Sequence, residues 1–205
     1  KTFFSFEGDL YGAIPDDNPL GGGFGYSDIP AGGDYEVTNT EEFLAALAKA
    51  TAGETVFVKG QSRIDLTAIK KPVVISDGVT LAGDRGRDNS PGALIFCDSG
   101  FTPLFHVGAN VRVTGLMFRG ADTDKREEHH AIAYYGPSAK GSDYYYRLTT
   151  QDCFVTVKDN FEVDNCELSG FSHTPIFIQG GNDHHIHHNF FHHNQREGLG
   201  YGICM

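Results

Sequence analysis

Beyond about residue 54, apolar residues come in runs too short for a helix and broken by Gly, Asn or Asp: "ETVFVKG", "PVVISDGVTLAGD", "GALIFCDSG" and "PLFHVGANVRVTGLMFRGA". Short alternating runs between such breakers predict strands. One segment carries helical spacing, "TNTEEFLAALAKATAGE". Thr38 or Thr40 can cap it, Glu41 and Glu42 fall in its first turn, and Gly53 ends it. Phe43, Leu44 and Leu47 form its apolar stripe. Residues 1–37, rich in Gly and Asp, read as an irregular lead-in, and 38–53 as the helix. No later segment keeps a helical period for long.

The strands repeat. "NVRVTGLMFRGA" from Asn110, "NFEVDNCELSGF" from Asn160 and "DHHIHHNFFHHN" from Asp183 superimpose. Val113, Val163 and Ile186 share one column, and Phe118, Leu168 and Phe191 another. Val111, Phe161 and His184 form a third, and Leu116, Cys166 and Asn189 a fourth. A further short strand precedes each unit ("LFHV", "FVTV", "IFIQ"), so a turn has three strands. From Val163 to Ile186 a turn takes 23 residues, whereas Val113 to Val163 takes 50, one turn plus an insertion of about 27. That insertion is 121–150, rich in Gly, Tyr and charge.

Three short strands per repeat and no helix describe a parallel β-helix, each coil stacked about 4.8 Å from the next. Asn110, Asn160 and Asp183 suit left-handed turn angles. An antiparallel sandwich would call for Asn-Gly hairpin turns between strands, and there are none. The expectation is an all-β chain: a right-handed parallel β-helix with three short strands per coil and an N-terminal capping helix. It forms one domain over 1–205, with coils over 54–205.

The 205 residues carry a net charge of −11. That balance argues against a nucleic-acid partner, since phosphate neutralisation dominates such binding. No apolar run reaches the roughly 18 residues of a membrane span, so no membrane partner is expected. The chain begins at Lys1, which reads as a mature, processed protein with a secreted or periplasmic location. It stops at "GYGICM" within a strand, so its open end is expected to be covered by further coils or by another chain. Cys97, Cys153, Cys166 and Cys204 lack metal spacing and read as free, mostly buried thiols.

The order of features resembles the pectate-lyase-like superfamily of right-handed β-helix proteins. The resemblance starts at "GFGYSDIPAGGDYEVTNTEEFLAALAKATAGETVFVKG", similar to a Gly-rich opening followed by a capping helix, and continues through "GVTLAGDRG" and "NVRVTGLMF". It implies that substrate lies along the sheet made of 104–107, 154–157, 176–179 and 202–205. Alternation then points His106, Thr156, Phe177, Lys158 and Gln179 outward, with the entering loops at 119–153, 169–175 and 192–201. The resemblance also implies calcium held by aspartates on this sheet. The matching stretch "SHTPIFIQGG" has His173 and Gln179 and no acid, so those ligands are unmatched and no cofactor or metal is assigned. The family's basic residue has an approximate counterpart in Arg196. The "NTD" and "GHG" elements of glycoside hydrolases of similar fold are missing, which disfavours a two-carboxylate hydrolysis.

What remains is β-elimination of a uronate, which needs a group to neutralise the carboxylate and a base for the adjacent proton. Catalytic candidates are His173, Arg196, Lys158 and His193. Candidates for holding substrate are Gln179, Thr156, His106 and His192, with Arg126, His129, His130, Tyr145 and Arg147 from the insertion. His185 and His187 face outward on another strand, in the columns of Glu162 and Asp164, a patch suited to adventitious metal binding. His192 and His193 are placed at the mouth of the cleft. The function expected is a polysaccharide lyase acting on an acidic, uronate-containing polysaccharide. The alternative is a non-catalytic glycan-binding or surface adhesin module, and a third reading is a metal-dependent protein using the histidine-rich coil.

Overall fold

A computed structural model describes residues 3–6, 9–12, 26–124, 127–196 and 199–205. Three parallel sheets wind around one core. The first sheet stacks Tyr35–Val37, Thr55–Val58, Thr80–Ala82, Arg112–Thr114, Glu162–Asp164 and His185–His187. The second stacks Arg63–Asp65, Leu94–Phe96, Met117–Arg119, Glu167–Ser169 and Phe190–His192. The third stacks Val73–Ile75, Phe105–Val107, Asp152–Thr156, Thr174–Ile178 and Ile203–Cys204. Each coil visits the three sheets in that order, so the chain is an all-β parallel β-helix with three short strands per coil.

The register reproduces the columns read from the sequence. Val113 pairs with Val163, Val163 with Ile186, Phe118 with Leu168, and Leu168 with Phe191. The inward rows are apolar because each strand alternates, and every coil buries its row against the next. Phe105, Phe118 and Phe154 meet in the core, with ring centroids 4.9 to 6.0 Å apart. The corners need left-handed backbone, and Asn110, Asn160 and Asp183 supply it at φ 55°, 56° and 58°.

The cap is helix α1, Thr40–Leu47, shorter than the 38–53 expected. Asn39, rather than either threonine, is its N-cap, accepting from the Glu42 amide at 3.0 Å. Glu42 reaches back to the amide and hydroxyl of Thr38, and these bonds hold its carboxyl below the usual range. Phe43 and Leu47 are buried, and Phe43 meets Phe105 edge-on across the end of the core.

Two segments depart from expectation. Phe3–Phe6 and Asp9–Gly12 in the lead-in pair as antiparallel strands. The insertion holds two helices, α2 over Glu127–Tyr134 and α3 over Ser142–Tyr145. They escape the period test because α2 buries only Ala133 against its surroundings. Aromatic packing stabilises the pair instead. His130 lies 4.8 Å from Tyr134 and 5.6 Å from Tyr145, ring to ring. Among the described residues no helix is long and apolar enough to cross a membrane.

Candidate active site

In the third sheet, parallel pairing sets Asp152 opposite Thr174, which brings the residue before Thr174 beside the carboxylate. His173 Nδ1 lies 2.6 Å from Asp152 Oδ1. An ionised carboxylate only accepts, so Nδ1 carries the proton and Nε2 keeps its lone pair. The backbone fixes the histidine from both sides: its amide donates to Gln151 O at 3.2 Å, and its carbonyl accepts from the Tyr201 amide at 2.7 Å. Phe177 and Tyr201 meet the ring edge-on, at 5.4 and 5.9 Å. His173 borders an open groove of about 290 Å³, lined also by Tyr146, Thr150, Leu199 and Tyr201. Both side chains keep some exposure, 22% for His173 and 16% for Asp152. A histidine oriented by a carboxylate in this way can act as a general base.

The other expected residues scatter. His106 and Gln179 are exposed on the third sheet, as read. Lys158 is exposed too, but with Gln179 it lies at the far end of the sheet from His173. Five residues of strand, roughly 17 Å, separate the two ends. Thr156 is a correction. Val155 pairs with both His106 and Phe177 and so takes the outward row. Thr156 points inward, fully shielded, and its hydroxyl donates to Val107 O at 3.0 Å, which satisfies it inside the core. Arg196 is buried, its Nη1 donating to Thr149 O at 2.8 Å and its guanidinium lying 5.3 Å over the Tyr145 ring. It joins the last loop to the insertion. Tyr145 is likewise buried.

His129 Nδ1 is 2.8 Å from Tyr144 Oη, and His130 is packed among tyrosines. Arg147 is exposed on the insertion. Arg126 lies outside the described residues. His192 ends a strand of the second sheet and His193 forms the corner after it, so neither stands on the third sheet. Asp152, Thr150 and Tyr201 were missed. Asp152 could have been found, since it lies 21 residues before His173, close to one coil length.

The first sheet carries a second polar assembly. Asp164, fully buried, accepts from Arg112 Nε at 2.8 Å, Arg112 Nη2 at 3.1 Å, Thr114 Oγ1 at 2.6 Å and Tyr26 Oη. Arg112 Nη2 also reaches Asp28 Oδ2 at 2.7 Å. Burial, then Asp164, pushes the Tyr26 phenol above its usual range. Burial pulls the Arg112 guanidinium down, but Asp164 outweighs it and holds the group above its usual range. These contacts fasten residues 26–28 onto the coil, and the charges are spent on one another.

Comparison with family profiles, with curated proteins and with solved structures finds no match for this chain.

Proposed function

We propose that this chain is a carbohydrate-active β-helix protein of the pectate-lyase-like kind. In this reading it is a polysaccharide lyase that cleaves an acidic, uronate-containing polysaccharide by β-elimination, in a secreted or periplasmic setting, without a pectate-lyase-type calcium site. The observation that carries the reading is the His173–Asp152 pair at 2.6 Å beside an aromatic groove.

His173 Nε2 takes the proton on the carbon next to the uronate carboxylate. The released electron pair forms the new carbon–carbon double bond as the bond from the β-carbon to the glycosidic oxygen breaks, and that oxygen leaves with a proton taken from solvent in the open groove. Asp152 steadies the imidazolium that results, as an orienting carboxylate does for other histidine bases. Tyr146 and Tyr201 offer ring faces for sugar stacking. Arg147, three residues before Thr150, is the cation assigned to the substrate carboxylate.

Tyr134, Tyr135 and Tyr146 are all exposed on the insertion. They favour, as a second reading, a glycan-binding module without turnover. The two readings separate on a panel of uronate polysaccharides, followed by the ultraviolet absorbance of the unsaturated product. A lyase gives product, and His173→Ala lowers the rate by about 10²–10⁴-fold. Glycan binding that survives His173→Ala, with no product from the wild type, supports the module instead.

A further inference from the structure

Residues 187–189 and 192–194 both read His-His-Asn. In each, the first histidine ends an outward row and the second makes a corner in left-handed backbone, at φ 51° for His188 and 52° for His193. The asparagine turns inward. Asn189 Nδ2 donates to Val163 O at 2.7 Å while its Oδ1 accepts from the Cys166 amide at 2.9 Å. Asn194 does the same with Leu168 O and the Phe171 amide, both at 2.9 Å. One coil earlier, the same corners are Asn165 and Gly170, at φ 49° and 73°. The turn therefore does not need an imidazole, and Asn or Gly takes this backbone at least as readily.

What the imidazoles add is a pair of converging nitrogens. His187 Nδ1 lies 2.7 Å from His188 Nδ1, and His192 Nδ1 lies 2.7 Å from His193 Nδ1. The first ring of each pair is held from behind. His187 Nε2 is 3.2 Å from Glu162 Oε1, and His192 Nε2 is 3.0 Å from Glu167 Oε1. A carboxylate accepts, so it fixes the proton on Nε2 and leaves the Nδ1 lone pair facing the neighbouring ring. Metal-ligating histidines are oriented in this way, with the far N–H given to a carboxylate.

The carboxylates themselves are poorer ligands here. Donor atoms of Glu162, Asp164 and His187 come within 4.8 Å of one another. Yet Asp164 already accepts from Arg112, Thr114 and Tyr26, and the Arg112 Nε lies 3.8 Å from Glu162. A cation among those oxygens would meet the guanidinium. The 187/188 corner borders a cavity of about 590 Å³, lined by Tyr26, Asp28 and residues 184–188.

We propose that each His-His corner chelates one divalent transition-metal ion through its two Nδ1 atoms, with Glu162 and Glu167 orienting the first ring. A tetrahedral ion at about 2.0–2.1 Å from each nitrogen needs them roughly 3.3 Å apart. That is about half an ångström wider than the pair, within a small ring rotation. Without metal, the neutral second histidine bridges the pair with its Nδ1 proton. Binding the ion displaces that proton, to Nε2 or to the solvent. Nitrogen ligands select zinc, nickel or copper over calcium and magnesium.

The test is calorimetric titration of the full chain, stripped by chelator and free of a histidine tag, with Zn²⁺, Ni²⁺, Ca²⁺ and Mg²⁺. Two equivalents of Zn²⁺ or Ni²⁺ are expected, and none of Ca²⁺ or Mg²⁺. His188→Asn and His193→Asn keep the left-handed corner, Asn being the residue already present at 165. Each is expected to remove one equivalent, and the double variant both, with an unchanged circular dichroism spectrum. Binding of Zn²⁺ only at millimolar or weaker affinity, or an undiminished stoichiometry in the double variant, overturns the proposal. So does binding abolished by Asp164→Asn but untouched by His188→Asn, which would put the ion on the carboxylates.

Discussion

Replacing Arg112 by methionine tests how the lead-in is fastened to the coil. The substitution keeps much of the aliphatic volume and removes two charge-assisted bonds from Asp164, at 2.8 and 3.1 Å. The carboxylate is left wholly shielded, with the hydroxyls of Thr114 and Tyr26 as its remaining side-chain donors among the described residues. Breaking a buried ion pair from one side costs about 3–5 kcal/mol. The Arg112 side chain is 23% exposed, so solvent screens part of the attraction and the low end applies, about 3 kcal/mol. For a chain of this size that lowers Tm by roughly 6–12 °C. Urea unfolding at neutral pH, followed by circular dichroism, gives the difference directly. Arg112→Met combined with Asp164→Asn removes the stranded charge and is expected to cost clearly less than the sum of the two single changes. A loss below about 1 kcal/mol for Arg112→Met, or full additivity in the double variant, would refute the reasoning.

Leu168→Ala empties a fully buried position between Phe118 and Phe191 in the second sheet and is expected to cost about 3 kcal/mol in the same assay. Burial pushes the Cys166 thiol up to about 12, and the Tyr26 phenol is raised as well. Both groups are raised on folding, so their stabilising effect is complete below about pH 9 and declines as pH rises toward 12. Urea midpoints should fall over that range and stay level between pH 7 and 8 on account of these groups. Native Cys153 and Cys166 should react with a thiol reagent only as the chain unfolds, since both are buried and raised. Arg196→Ala removes the bond to Thr149 O and the stack on Tyr145, so limited proteolysis should cut within 121–150 sooner while the coil spectrum stays unchanged.

Much of the fold was legible because a β-helix writes its geometry into a short period. Val163 and Ile186 are one coil apart and paired, and the left-handed corners at Asn110, Asn160 and Asp183 fall where Asn and Asp recur. Thr156 was misplaced because a polar residue in an inward row is satisfied by Val107 O, a bond no pattern announces. Helix α2 went unseen because it packs on tyrosines rather than through an apolar stripe. The site was legible only in part. His173 was visible from its place in the loop 169–175 entering the third sheet, whereas Asp152 joins it only once the coil closes. Arg196 looked free for chemistry because burial under the insertion depends on how residues 121–150 fold back. Tyr26 and Asp164 meet across 138 positions of chain, and no local signal links them.

The central claim is elimination at the His173–Asp152 groove, and turnover of a uronate polysaccharide in water labelled with heavy oxygen tests it most directly. A lyase releases unsaturated product that absorbs in the ultraviolet and carries no heavy oxygen, and both the product and its absorbance are lost in His173→Ala. Heavy oxygen incorporated into the new chain ends, or no product from any uronate polymer with folded wild-type protein, would contradict the account.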